Sequence, residues 1–143
     1  MFQLDNCVYY MATLGLKQVT ECYNQTLKDY GATRVQWIAL YYIEKSDGMR
    51  QSELAELMHA KETTIARLTG RLVKNGFIQR KTDPKDRRAV KLYCTEEGHI
   101  MYRKLLPVCD SFYQKIIQDI PQEELDVFRS VLDRLVINSF DTN

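Results

Sequence analysis

Two short stretches of alternating apolar and polar residues flank a charged turn, and this pattern constrains the fold more than any other feature of the chain. The stretches cover residues 77–81 and 89–95, and the turn contains the run DPKDRR at residues 83–88. Alternation with a period of two places successive side chains on opposite faces of a strand. The pattern therefore predicts a β-hairpin. Because 143 residues include only six glycines and three prolines, the other elements are predicted to be mostly helices joined by short loops.

Two short helical patterns precede the hairpin and are separated by only a few residues. They cover residues 51–59 and 61–75, and each has apolar residues at three- and four-residue intervals. Such a pair predicts a helix-turn-helix. The polar side chains of its second helix are predicted to face outward, where they can reach base edges and phosphates; they are Glu62, Thr63, Thr64, Arg67, Thr69 and Arg71. A further helix is predicted to begin at the capping-box pattern of residues 33–36.

Basic residues are concentrated in the same part of the chain. Residues 61–91 contain ten of the twenty lysines and arginines and only three acidic residues, so this segment carries a net charge of +7. The other residues carry −6, and the formal net charge of +1 hides this asymmetry. A cationic block on a structured hairpin and the helix before it is typical of a nucleic-acid-binding protein. The alternative is a solvated surface on which charges cluster by chance.

Long amphipathic helices are predicted at both ends of the chain. The first covers residues 5–29, the second begins near Thr95 and is expected to kink at Pro107, and the last begins at Pro121. The predicted buried stripe of the second helix is Ile100, Leu105, Cys109, Phe112, Ile116 and Ile120. In the last helix, apolar residues recur at three- and four-residue steps; they are Leu125, Phe128, Leu132, Leu135 and Val136. This is more apolar surface than a small winged domain can cover, which predicts a second copy of the chain as partner. The alternative is that these helices fold back on their own domain.

The expected fold is therefore mainly α with a small β-hairpin wing, in one domain over residues 1–143. Residues 33–95 are expected to form a winged helix-turn-helix that binds DNA. Residues 1–30 and 96–143 are expected to form dimerisation helices. No apolar run approaches the roughly 20 residues of a membrane span, and the N-terminus lacks signal-peptide features. A cytoplasmic protein without a membrane partner is expected.

Metal, cofactor and catalytic sites are not predicted. The four cysteines show no Cys-x-x-Cys spacing, and His59 and His99 are far apart in sequence, so a disulfide scaffold and a zinc site have little support. The sequence contains no recognisable nucleophile–base pair, paired carboxylates or glycine-rich phosphate loop, which argues against an enzyme. A winged-helix module that binds protein instead of DNA is the alternative from another class.

Taken in order, these segments resemble the MarR family of winged helix-turn-helix transcriptional regulators over nearly the whole chain. The resemblance is strongest in QSELAE (51–56), TIARL (64–68), RLVKNGFI (71–78), DPKDRRAV (83–90) and TEEG (95–98). Three positions depart from the family pattern: His59 replaces a turn glycine, Lys61 replaces a serine cap and Arg50 replaces a threonine cap.

The resemblance implies roles for individual residues on double-stranded DNA. Arg88 would enter the minor groove, where negative potential attracts arginine. Asp86 would accept a hydrogen bond from the Arg88 guanidinium and hold it extended, and Arg87 would contact phosphate. The full set of expected DNA-binding residues is Lys61, Thr63, Thr64, Arg67, Arg71, Lys74, Lys85, Asp86, Arg87 and Arg88. The protein is expected to be a homodimeric repressor.

Two kinds of regulatory signal are compatible with the sequence. An aromatic-lined pocket formed by Tyr9, Tyr10, Trp37 and Tyr41 would suit a small phenolic or planar effector; ordinary packing is the alternative for these residues. Cys7 is the candidate for a redox sensor, because it would lie in the first helical turn if Asp5 caps that helix. Cys94 is expected to be a packing residue on the second strand of the hairpin.

Overall fold

The computed structural model describes residues 1–140 and is mainly helical with one small antiparallel sheet, as the sequence predicted. The elements are α1 (Val8–Lys28), α2 (Arg34–Glu44), β1 (Met49–Arg50), α3 (Gln51–Leu57), α4 (Glu62–Lys74), β2 (Ile78–Asp83), β3 (Asp86–Cys94), α5 (Glu96–Ile116) and α6 (Gln122–Phe140). The chain forms two compact units, and the first ends at Asp110. In the part of the chain that the structure describes, no helix is long and apolar enough to cross a membrane.

The starts of the first two helices show how local sequence sets their boundaries. The Thr33 hydroxyl accepts from the Gln36 N–H at 3.3 Å, and the Gln36 side chain accepts from the Thr33 N–H at 3.1 Å, which confirms the predicted capping box of α2. The prediction for α1 was wrong by about a turn. Residues Leu4–Asn6 form a separate 3₁₀ turn, so Asp5 does not cap α1 and Cys7 takes the N-cap position.

The sheet has the order β1-β3-β2. Its hairpin is longer than predicted, because β2 and β3 pair from Ile78 opposite Cys94 to Asp83 opposite Asp86 and leave only Pro84 and Lys85 as the turn. Arg87 and Arg88 therefore lie on β3 rather than in a turn. The short strand β1 was not predicted. Two residues give too little alternation to be recognised as a strand in the sequence.

The helix-turn-helix and the sheet share one apolar core within the first unit. It consists of Ala39, Leu40, Ile43, Met49, Leu54, Ala55, Ile65, Leu68, Leu72, Ile78 and Leu92. Each fully buried leucine or isoleucine contributes about 1.5 to 3 kcal/mol relative to exposure to water. A second cluster contains Leu27, Ala32, Trp37, Leu105 and Cys109. The predicted inward positions of α3 and α4 are thus largely confirmed.

The C-terminal helices match the prediction less closely. Helix α5 continues through Pro107, and its predicted positions Leu105 and Cys109 are buried. By contrast, Ile100, Ile116 and Ile120 are exposed, so the predicted buried stripe was wrong at these three positions. No residue of α6 is buried. Its apolar stripe faces solvent in the single chain.

Candidate nucleic-acid interface

The outer face of α4 combines hydroxyl and guanidinium groups. Thr63, Thr64, Arg67, Arg71 and Lys74 are all exposed, and Lys61 is exposed at the N-cap of the helix. The opposite face packs into the core through Ile65, Leu68 and Leu72. Because apolar residues recur at helical intervals on one face, the polar residues between them must share the other. The exposure of Thr63, Thr64, Arg67 and Arg71 confirms the prediction that these side chains face outward. Their contact with DNA stays a prediction.

The turn between α3 and α4 contains a residue with unusual backbone geometry. His59 has φ of +49°, in the left-handed region that glycine and asparagine adopt more readily. The Ala60 N–H donates to the Ala55 carbonyl at 3.0 Å and closes the end of α3. His59 is exposed. The position where the resemblance implied a glycine therefore has the backbone conformation that explains such a preference.

Thr69 was predicted to face outward, and this was wrong. Its side chain is completely buried. The Arg80 guanidinium donates to the Thr69 Oγ1 at 3.0 Å, and the hydroxyl lies 3.0 Å from Gln51 Oε1 and 3.2 Å from the Ala66 carbonyl. One buried hydroxyl thus connects α3, α4 and β2. It fixes the orientation of the exposed α4 face relative to the hairpin.

Asp83 is the main polar anchor of the hairpin, and sequence reasoning did not identify it. It is only 4% exposed, and its carboxylate accepts from the Lys85 N–H at 3.0 Å and from the Arg50 guanidinium at 3.2 Å, while Lys91 Nζ lies 4.0 Å away. The hydrogen bond from Lys85, together with the bond and charge of Arg50 and the charge of Lys91, lowers the pKa of Asp83 against the effect of burial. The carboxylate joins β1 to the hairpin tip. Its signal in the sequence is an acidic residue at the end of a basic strand.

The expected contact between Asp86 and the Arg88 guanidinium is not what the structure has. Asp86 Oδ1 accepts from the backbone N–H of Arg88 at 3.0 Å. Among the ion pairs of residues 1–140, none joins these two side chains. Asp86 therefore fixes the backbone at the start of β3 and leaves the Arg88 guanidinium free of that carboxylate. Lys85, Arg87 and Arg88 are all exposed beside it.

Gly48 leaves room for the Tyr93 ring beside the turn that precedes β1. Its φ is +91°, and an added Cβ would lie 2.6 Å from the Tyr93 hydroxyl oxygen. Tyr93 also lies under Lys81, whose Nζ is 5.1 Å from the ring centroid. A side chain at position 48 would overlap the Tyr93 ring, which would have to move, and it would also strain the backbone at this positive φ.

The four aromatic residues expected to line an effector pocket do not form one group. Trp37 is buried and stacks on Tyr102 with ring centroids 5.6 Å apart, and Tyr41 contacts Trp37 edge-on at 5.8 Å. Tyr9 and Tyr10 are exposed near the start of α1. Trp37 and Tyr41 thus pack in one aromatic cluster with Tyr102. An effector pocket at these residues stays a prediction.

A cleft of about 470 Å³ lies between α2, the end of α3 and α4. Its walls include Ile38, Tyr42 and Met58, and it also exposes the guanidinium-bearing residues Arg34, Arg67 and Arg71. The Arg34 Nε is buried and, within the described residues, has no hydrogen-bond partner. The cleft is thus lined by both apolar and cationic residues. It shares two arginines with the exposed face of α4.

Comparison with known proteins agrees with this geometry. Residues 32–90 match the profile of the MarR family. The chain is 30% identical to the HTH-type transcriptional regulator YybA of Bacillus subtilis over 112 residues, which cover 78% of this chain and 75% of YybA. It is 27% identical to the HTH-type transcriptional repressor MdtR of Bacillus subtilis over 101 residues, or 71% of this chain and 65% of MdtR.

Among solved structures, the S. aureus MepR–DNA complex superposes with a TM-score of 0.85 at 19% identity, covering 96% of this chain and 99% of MepR. The chain belongs to the MarR family, and it has the winged helix-turn-helix fold of that family's transcriptional regulators. Both relatives are named as regulators of transcription. This confirms the family resemblance and the fold class predicted from the sequence.

Proposed function

We propose that the protein binds double-stranded DNA as a homodimer and represses transcription at a near-palindromic operator. The observation that carries this proposal is the shared placement of two cationic surfaces. The exposed face of α4 and the hairpin β2–β3 are tied together through Thr69 and Arg80, so that both can meet one duplex. The similarity to the repressor MdtR supports repression rather than activation of transcription.

In this proposal α4 lies in the major groove. Thr63, Thr64 and Arg67 then face base edges, because an arginine fork and short hydroxyl side chains can reach them. The remaining cations of α4 and the hairpin meet phosphates and supply most of the salt-dependent affinity; they are Lys61, Arg71, Lys74, Lys85 and Arg87. Arg88 follows the minor groove beside them, with its backbone N–H held by Asp86.

A second copy of the chain completes the site. The exposed apolar stripe of α6, with Phe128, Leu132 and Leu135, supplies a surface that two copies can bury against each other. A two-fold dimer that reads successive major grooves would place its two α4 helices about 34 Å apart. The operator half-sites would then be related by the same symmetry.

We further propose that a small planar anion regulates this binding. The cleft of about 470 Å³ offers Tyr42 and Ile38 as apolar walls and three arginines as partners for a carboxylate or phenolate. Because Arg67 and Arg71 belong to both the cleft and the α4 face, a ligand that engages them removes them from DNA. This cleft replaces the aromatic pocket expected around Tyr9, Tyr10, Trp37 and Tyr41.

Cys7 remains the second candidate for the regulatory signal. It occupies the N-cap of α1, where the first N–H groups of the helix have no intrahelical partner. Asp5 belongs to the preceding 3₁₀ turn and does not occupy the cap position beside this thiol.

A binding experiment separates this function from that of a protein-interaction module. Duplexes are selected from a random pool by the protein, and their affinity is compared with that of a scrambled duplex over a series of salt concentrations. Arg67→Ala is expected to reduce the preference for the selected duplex, whereas Lys74→Ala should weaken both duplexes equally and reduce the salt slope by about 1. Equal affinity of the unchanged protein for selected and scrambled duplexes would reject sequence-specific DNA binding.

A further inference from the structure

Three potential metal ligands converge outside the DNA-facing surface. Glu44 ends α2, Cys94 ends β3 and His99 lies in the second turn of α5. Their donor atoms all lie within 4.8 Å of one another, and His99 Nδ1 is 2.5 Å from Glu44 Oε2. Cysteine and histidine spacing gave no sign of this group, because its members come from three separate elements.

The backbone around this group is held in place by several independent contacts. The Thr95 hydroxyl donates to the Gly76 carbonyl at 2.5 Å and accepts from the Gly98 N–H at 3.0 Å, which caps α5 between Cys94 and His99. Gly98 packs directly on the Phe77 carbonyl, where a Cβ would overlap it. Cys94 and His99 therefore keep their relative position without any ligand.

We propose that Glu44, Cys94 and His99 form a binding site for a zinc-type divalent ion. A thiolate, an imidazole and a carboxylate are the three ligand types that zinc combines in proteins, and a water molecule can complete a tetrahedral site with three protein ligands. The site is reachable, because the side chains of His99 and Glu44 are 39% and 19% exposed.

Small side-chain rotations bring the three donors to coordinating distance. Donors bound to one tetrahedral zinc ion lie about 3.5 Å apart, given bond lengths of about 2.0 to 2.3 Å. The His99 imidazole and the Glu44 carboxylate must separate by about 1 Å. Their bonds to the ion then take the place of the hydrogen bond between them. The farthest pair must approach by a similar amount, since no separation exceeds 4.8 Å. Neither movement requires a shift of the backbone that Thr95 holds.

The proton balance of binding is simple. Burial and the neighbouring Glu44 raise the pKa of Cys94 to about 12, so the thiol keeps its proton in the absence of metal. The ion displaces that proton into solvent. The bound ion then connects α2, the last residue of β3 and α5. Because β3 belongs to the hairpin, the metal would stabilise the base of the wing.

Cobalt(II) provides a direct probe, because it replaces zinc in such sites and reports its ligands by absorption. Titration of the full, reduced protein is expected to produce one thiolate-to-cobalt charge-transfer band at one equivalent, together with visible bands of tetrahedral coordination. Zinc should displace the cobalt ion, so that the charge-transfer band and the visible bands both disappear. Cys94→Ser should remove the charge-transfer band, and His99→Gln and Glu44→Gln should each weaken metal affinity at least about 10- to 100-fold.

Matched variants elsewhere in the chain provide the controls. Cys22→Ser removes an exposed thiol, and His59→Asn removes the other histidine at a backbone position that asparagine tolerates. Both should keep the cobalt spectrum and the zinc affinity of the parent. Zinc should also raise the thermal unfolding temperature of the parent and of both controls, but not that of Cys94→Ser.

Two results would overturn the proposal. One is the absence of a charge-transfer band in the reduced parent protein. The other is a band, or a zinc-dependent rise in unfolding temperature, that persists in Cys94→Ser. Circular dichroism of each variant without metal shows whether it is folded. If Cys94→Ser is unstable, Glu44→Gln replaces it as the test variant, because glutamine can keep the hydrogen bond to His99. None of these measurements involves DNA, so their failure would leave the proposed function untouched.

Discussion

Residues 49–95 and helix α6 differ in where their side chains find partners. In the first region the apolar residues meet in a shared core, and even the polar residues Thr69 and Asp83 are buried and hydrogen-bonded. In α6, Phe128 is 53% exposed and Leu132 is 46% exposed. A helix with an uncovered apolar stripe gains stability when a partner covers it. The core of residues 49–95 is therefore complete within one chain, whereas α6 leaves an apolar surface that the proposed dimer would cover.

The largest expected effect concerns that second surface. Leu132→Asp should disrupt the dimer, because each leucine buried between two copies contributes about 1.5 to 3 kcal/mol and a two-fold interface contains it twice. Sedimentation over a concentration series measures the shift to monomer. Ser130→Asp adds the same charge beside the stripe and should keep the dimer. If Leu132→Asp and a chain ending at Pro121 were both dimeric, α6 would not be the dimer interface.

The next effect concerns the hairpin. Arg88→Ala should lose about 1 to 3 kcal/mol of operator binding and reduce the salt slope by about 1, because one exposed guanidinium leaves the DNA. The unfolding temperature should change little. Arg129→Ala removes an exposed arginine of α6 and should leave operator affinity unchanged. Equal losses in the two variants would mean that only the total charge of the protein matters.

The two aspartates of the hairpin test whether backbone anchoring or charge controls DNA binding. Charge counting predicts that removing either carboxylate strengthens binding to DNA. Anchoring predicts that Asp83→Asn weakens it several-fold and Asp86→Ala weakens it less, because Asp83 holds Arg50 and Lys85 whereas Asp86 holds one N–H. Tighter operator binding by both variants at moderate salt would show that the hairpin is only a cationic surface.

Acid titration of the protein without DNA tests the anchoring role of the Asp83 carboxylate. The pKa of Asp83 is lower in the folded protein than in the unfolded chain. Its contribution to stability is therefore fully present above the ordinary carboxyl pKa of about 3.9 and is lost as the pH falls through the lower folded value. The amide resonance of Lys85 should thus shift only below the ordinary range. A shift centred at or above that range would contradict the anchoring role.

The smallest effect is expected at Cys7. Cys7→Ser should leave operator binding nearly unchanged under reducing conditions, because serine is also a favourable N-cap residue and the thiol makes no cap hydrogen bond. If Cys7 is the redox sensor, the substitution abolishes release of DNA by peroxide. Equal peroxide sensitivity of variant and parent would exclude a redox role for Cys7.

Sequence reasoning succeeded where a repeating pattern determines the structure. The apolar periodicity of α3 and α4 identified Leu54, Ile65, Leu68 and Leu72 as core residues, and Thr33 and Gln36 marked the start of α2. It failed where a contact joins distant segments. Thr69 is polar and interrupts no pattern, so its burial against Arg80 and Gln51 could not be read from its neighbours.

The same distinction explains the errors within the candidate site. The family resemblance implied that Asp86 pairs with the Arg88 guanidinium, but in the structure Asp86 accepts from the Arg88 backbone N–H at the start of β3. The metal-ligand group was missed because Glu44, Cys94 and His99 are brought together only by the packing of α2, β3 and α5. Ile100 is exposed although it shares the helical periodicity of the buried Leu105 and Cys109, so periodicity alone could not distinguish these positions.

The central claim is that α4 and the hairpin of each chain form one DNA-binding surface, and that two chains bind the operator together. The most direct test is a hydroxyl-radical footprint on a duplex that the protein has selected. The account predicts two symmetric protected segments centred about 10 base pairs apart, with minor-groove protection beside them. Arg88→Ala should remove the minor-groove protection and retain the two segments, and Leu132→Asp should reduce both together. A uniform footprint that is the same on selected and scrambled duplexes would contradict the account.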